Sequence, residues 1–141
     1  AALNALGRKE KYHGSAGTFV TRIGTFEIAG TGFNTAFAAA RGFEPVSGKI
    51  TSKIKPDYYP GNSDITVKII FDKNSGIILG AQCAGESGAA ERVNIVSMAI
   101  EFGITLDELS RTELAYAPPV SEVYDPLLRA VDFGLRRMKS R

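Results

Sequence analysis

One alternating hairpin constrains this chain more than any other feature. Ile65-Thr66-Val67-Lys68-Ile69 alternates apolar and polar side chains, the period-2 pattern of a strand with one buried face. Asp72-Lys73-Asn74-Ser75-Gly76 supplies a turn with glycine placed for positive φ. Residues 77–84 return as a second apolar strand. A sheet built on this hairpin has a core to bury, and 141 residues are one domain's worth on the prior of ~100–200 residues per domain.

Around the hairpin the reading alternates less cleanly. Residues 18–29 carry Phe19, Ile23, Phe26 and Ile28 and read as one strand, with Gly24 as a bulge. Gly30-Thr31-Gly32 turns the chain, Thr31 or Asn34 caps a short alanine-rich helix to about Arg41, and Gly42 ends it. Residues 46–55 form a further strand, followed by a loop stiffened by Pro56 and Pro60.

The second half reads as helical. Residues 89–102 show two apolar stripes at helical spacing, Val93/Val96/Ile100 and Ile95/Met98/Phe102. A helix apolar on two faces buries both, one of them in its own core or against a partner. Thr105 with Glu108 has the capping-box spacing, and residues 122–138 form a last helix with Pro126 in its first turn. The expected fold class is α+β, an antiparallel β-sheet flanked by helices.

Several function classes are excluded by what is absent. No apolar run approaches the ~18 residues of a membrane helix, so no membrane partner is expected. A single cysteine excludes an internal disulfide framework, and the single histidine, His13, excludes a histidine metal cluster. A net charge of +2 is too small to suggest nucleic acid. The basic end, Arg136-Arg137-Met138-Lys139-Ser140-Arg141, reads as a solvated terminus. Neither a G-x-G-x-x-G dinucleotide motif nor a phosphate loop, H-E-x-x-H, C-x-x-C or nucleophile elbow occurs. Cys83 reads as a small buried hydrophobe and His13 as a solvated loop residue. The chain is therefore not expected to be active alone. It begins Ala1-Ala2-Leu3 with no signal peptide, the expectation for a piece of a longer protein.

What remains are tyrosines beside prolines. Tyr58-Tyr59-Pro60-Gly61 and Ala115-Tyr116-Ala117-Pro118-Pro119 each hold a phenol on stiff, irregular backbone. A phenol with pKa near ~10 donates a proton or hydrogen bond at neutral pH. Residue chemistry alone suits these rings equally to covering core edges. If the first segment is extended, Tyr58 and Tyr59 point to opposite sides and do not share a role.

Phe26-Glu27-Ile28-Ala29 with Thr31-Gly32, Lys55-Pro56-Asp57-Tyr58-Tyr59-Pro60-Gly61, Lys68-Ile69-Ile70-Phe71-Asp72 leading to Ile78-Leu79-Gly80-Ala81-Gln82, and Ala115-Tyr116-Ala117-Pro118-Pro119 before Ser121 and Tyr124-Asp125-Pro126 follow one pattern. Over residues 18–138 it resembles the C-terminal dimerisation domain of FAD-dependent pyridine nucleotide–disulfide oxidoreductases, in the NADH oxidase and coenzyme A-disulfide reductase branch. The glutathione-reductase branch has a His-Pro-Thr segment where this chain has Tyr116-Ala117-Pro118. The resemblance implies a homodimer whose 18–141 domain completes the flavin and substrate site of the opposite subunit. Residues 1–17 would be the connector from an upstream FAD domain.

By the same resemblance, Tyr116 is catalytic near the flavin and redox centre and binds the cofactor together with Ala117 and Pro118. Tyr58 or Tyr59, with a slight lean to Tyr58, is catalytic and serves a coenzyme A disulfide or similar thiol substrate, and Tyr124 contacts substrate. FAD and NAD(P)H belong to upstream domains of a cytoplasmic parent, this chain binding neither tightly alone. The electron acceptor stays open between oxygen, peroxide, coenzyme A disulfide and polysulfide. The alternative is a free-standing dimeric binding or scaffold domain without redox activity.

Overall fold

In the computed structural model, which describes residues 1–139, the alternating segments assemble into one five-stranded antiparallel sheet. The strands are β1 Phe19–Ile23, β2 Phe26–Gly32, β3 Pro45–Lys53, β4 Asp64–Asp72 and β5 Ile78–Gly85, in the order β1-β2-β5-β4-β3. The helices are α1 Ala2–Ala5, α2 Thr35–Ala40, α3 Ala89–Glu101, α4 Leu106–Ser110 and α5 Pro126–Lys139. The α+β class and the central β4–β5 hairpin agree with the sequence. Ser140 and Arg141, the end of the basic tail, lie outside the described residues. Among those residues no helix is long and apolar enough to cross a membrane.

The alternation in β4 sets the layers. Ile65, Val67, Ile69 and Phe71 are fully buried on one face, where Ala81 and Cys83 of β5 join them. Val93, Val96 and Ala99 of α3 and Leu127, Ala130 and Val131 of α5 close over that face. Helix α5 crosses β3 so tightly that a Cβ on Gly48 would lie 2.0 Å from the Ala130 carbonyl oxygen. The opposite face is covered at one end only, by Ala38 of α2 packed with Ile70 and Leu79.

Three expectations need correction. Residues 18–29 are not one bulged strand: Ile23 pairs with Phe26 across a two-residue turn in which Gly24 takes φ +62°, so the chain makes a hairpin there. Thr31 is in β2, opposite Ala81, and Asn34 is the cap of α2, accepting from the Phe37 backbone N–H at 2.8 Å. The last helix starts at Pro126 rather than 122, because the Asp125 carboxylate accepts the Leu127 N–H at 2.7 Å and fixes the helix start. The Thr105/Glu108 capping box forms on α4 as the spacing requires.

Candidate functional site

Two irregular loops meet at one end of the sheet, and both stand on stiff supports. After β3, the Ile54 N–H bonds the Ser63 carbonyl at 3.1 Å. The Asn62 amide clasps the loop from inside, accepting from the Lys55 N–H at 3.0 Å and donating to the Lys55 and Pro56 carbonyls at 2.7 and 3.2 Å. The Tyr59 N–H bonds the Pro56 carbonyl at 2.9 Å, so this segment is a turn and not the extended strip that would oppose Tyr58 and Tyr59.

The second loop follows α4. The Ala117 carbonyl accepts the Val120 and Ser121 N–H groups at 2.8 and 2.9 Å, and the Ser121 hydroxyl donates to the Ala115 carbonyl at 3.1 Å. The Glu122 N–H reaches the Ile54 carbonyl at 2.7 Å and ties the two loops together. Ala117 and Pro118 are therefore half-buried parts of a hydrogen-bonded turn that presents Tyr116.

A buried ion pair anchors this end. Arg92 of α3, 6% exposed, donates Nε and Nη2 to the two oxygens of Asp125 at 3.1 and 2.8 Å, and Nη1 to the Gly88 carbonyl at 2.8 Å. Because Asp125 also caps α5, one carboxylate joins the starts of both long helices. Sequence reasoning missed this pair. The usable signal was an arginine beside the Val93 stripe and an Asp-Pro helix start.

The tyrosines are sorted by these supports. Tyr58 is 75% exposed, whereas the Tyr59 ring is half-buried with the Lys55 ammonium 5.6 Å above it. Tyr58 stands beside Tyr116, although the two come from separate loops. Partial burial raises the Tyr116 pKa, and the neighbouring Tyr58 phenol raises it further, as does Glu122. Tyr116, 45% exposed, is a protonated donor at neutral pH as an ordinary phenol is, and the shift moves its ionisation further from that range. Tyr124 occupies a separate depression bordered by Ile50, Arg129, Phe133 and Arg136. Its hydroxyl donates to Asp132, and its pKa is pushed up to about 12 by burial and by that carboxylate.

Cys83 faces the helix-covered core at 3% exposure, its pKa pushed up to about 12 by burial despite the opposing pull of Arg92. It is an unreactive thiol, as its sequence setting suggests. Among the described residues no cluster of three metal-ligating side chains occurs.

For the flavin that the resemblance implies, the chain has no glycine-rich strand–helix turn to cradle a pyrophosphate; what it presents is an exposed phenol donor, Tyr116, on the 115–118 turn.

Over residues 19–127 the sequence matches the family described as the dimerisation domain of pyridine nucleotide-disulphide oxidoreductases. It is 33% identical to the NADH oxidase of Methanocaldococcus jannaschii over all 141 residues, which are 31% of that protein. It is 31% identical to the coenzyme A disulfide reductase of Staphylococcus haemolyticus over 81% of the chain and 26% of the relative. An NAD-dependent persulfide reductase from A. fulgidus superposes with a TM-score of 0.88 at 30% identity, over 95% of this chain and 25% of the other. The chain thus spans less than a third of the length of these relatives.

Proposed function

The chain belongs to the pyridine nucleotide-disulphide oxidoreductase dimerisation-domain family, and from that premise we propose that it pairs two subunits of an FAD- and NAD(P)H-dependent oxidoreductase and completes the flavin and substrate site of the partner. The observation that carries this reading is the Tyr58–Tyr116 pair, two exposed phenols from separate loops held on one hydrogen-bonded frame. Nothing favours a free-standing scaffold over this reading.

The pairing surface in this reading is the second stripe of α3. Val93 and Val96 are buried in the core, while Met98 and Phe102 stand 63% and 72% exposed beside half-buried Ile95. A twofold contact needs one self-complementary apolar patch, and a helix stripe meeting its own copy supplies one.

Bound flavin and nicotinamide would supply the electrons. This chain's residues would position and protonate. Tyr116 Oη, protonated at neutral pH as a phenol is, would donate to a sulfur or oxygen atom gaining negative charge. Tyr58 Oη would hold the other side of the substrate, and Ala117 and Pro118 would line the flavin edge. Tyr124, turned onto Asp132, would contact substrate away from the reacting atoms. The substrate class favoured is a thiol-derived disulfide or persulfide, whose leaving sulfur needs such a donor. A cytoplasmic setting belongs to the same reading.

The test is subunit mixing in the full-length protein. Tyr116→Phe in every subunit should lower turnover by about 10²-fold or more with flavin content unchanged. Pairing a Tyr116→Phe subunit with one whose own flavin site is disabled should restore one working site per dimer. Unchanged turnover in the uniform variant, or no restoration in the mixed dimer, would overturn the proposal.

A further inference from the structure

The sheet face opposite α3 and α5 carries a row of side chains across all five strands. Register places Phe19 opposite Gly30, Gly30 opposite Gln82, Gln82 opposite Lys68, and Lys68 opposite Lys49. Residues directly opposite on antiparallel strands share a face, and five strands span about 19 Å at ~4.8 Å per strand. The row floors an open trough of about 570 Å³, with Ile28 and Ala84 beside it.

Its charge is one-sided. Lys49 and Lys68 face each other on adjacent strands, an arrangement that costs stability because like charges sit directly opposite. Neither ammonium has an ion-pair partner among the described residues, although Lys53 on β3 pairs with Asp64 and Lys73 after β4 pairs with Glu44. No carboxylate lines the trough, and the Arg137 guanidinium, bonded to the Ser47 carbonyl at 3.0 Å, borders it. The other end is apolar, with Phe19 and Ile28 exposed at 53% and 37%. The whole chain carries only +2, so the positive charge here is a local concentration.

We propose that this trough docks an acidic polypeptide segment, with Asp or Glu side chains on Lys49 and Lys68 and apolar side chains on Phe19 and Ile28. The charges and the apolar ground lie at opposite ends of a long, shallow row, which suits an extended or helical segment better than a compact anion enclosed on all sides. Complementary charge would remove the cost of the paired lysines and fix the segment's direction. The Methanocaldococcus jannaschii relative and the A. fulgidus structure are about three and four times as long as this chain, so most of such a polypeptide lies outside the part they share with it and can supply the segment. This inference does not depend on the roles assigned to the tyrosines.

The probe is a fluorescein-labelled 14-residue peptide with leucine at one end of its helical face and glutamate at the other, titrated with the chain and followed by anisotropy. Saturable binding is expected, weakened at least tenfold by Lys49→Gln/Lys68→Gln and by raising NaCl from 50 to 500 mM. Amide chemical-shift changes in the wild-type chain should centre on Phe19, Ile28, Lys49 and Lys68. That mapping tests the proposal even if the double variant folds poorly. Absence of saturable binding, affinity indifferent to both lysines, or shifts centred elsewhere would overturn it. Full displacement of the peptide by millimolar inorganic phosphate would overturn it in favour of a small-anion site.

Discussion

Asp125→Asn is the most informative single change in the frame. It keeps an oxygen to accept the Leu127 N–H, now 2.7 Å away, and removes the charge that Arg92 grips through two hydrogen bonds. The Arg92 side chain is 7% exposed, so its guanidinium would be left buried without a counter-charge, keeping the retained oxygen and the Gly88 carbonyl as acceptors while Nη2 faces an amide NH2 that cannot accept. Breaking a buried pair by removing one member costs about 3–5 kcal/mol. Asp125→Ala additionally loses the helix cap, worth about 0.5–2 kcal/mol. The lower figure corresponds to a fall in melting temperature of roughly 6–12 °C for a chain of this size. Replacing both partners, Arg92→Leu with Asp125→Asn, should recover much of the loss, because no charge is then buried alone. Urea unfolding at fixed protein concentration measures all three variants, provided the m-value is unchanged. A loss under about 1 kcal/mol for Asp125→Asn, or a double variant no better than the single ones, would refute the reasoning.

Other consequences follow from the titrating groups. The Cys83 thiol, raised from 9.0 to about 12 in the folded chain, should resist alkylation at pH 8 and react stoichiometrically once guanidinium unfolds the protein. The unfolded thiol ionises first as pH rises, so this group's contribution to stability is complete below pH 9 and declines between pH 9 and 12. Equal alkylation rates in native and unfolded protein would contradict the burial. Tyr58→Phe should move the Tyr116 titration back toward its ordinary value, read as absorbance at 295 nm, because Tyr58 contributes to the upward shift. An unmoved curve would mean that the two phenols do not meet.

Much of the sheet is legible in the sequence because alternation in β4 and glycine in its turn are local signals. The β1–β2 hairpin is less legible. Gly24 fits a bulge and a two-residue turn equally well until Ile23 is seen opposite Phe26. Gly30, Thr31 and Gly32 look like turn residues, yet they pair with Gln82, Ala81 and Gly80 of β5, where the glycines and Ala81 allow close approach. In α3 the period reveals two apolar stripes but not their occupants. Packing decides that Val93 and Val96 face the core and that Met98 and Phe102 do not. Arg92 escaped notice because its partner lies 33 positions away. The Tyr58–Tyr116 meeting is equally non-local. It depends on the Glu122–Ile54 hydrogen bond between loops, which no spacing rule encodes.

The pairing of two subunits through α3 is tested most directly by sedimentation equilibrium of the chain beside its Met98→Glu/Phe102→Glu variant. Both side chains are exposed, so the variant should retain the wild-type circular dichroism. The account predicts a dimer for the wild-type chain at micromolar concentration and a folded monomer for the variant. A monomeric wild type, or a variant that remains dimeric, would contradict it.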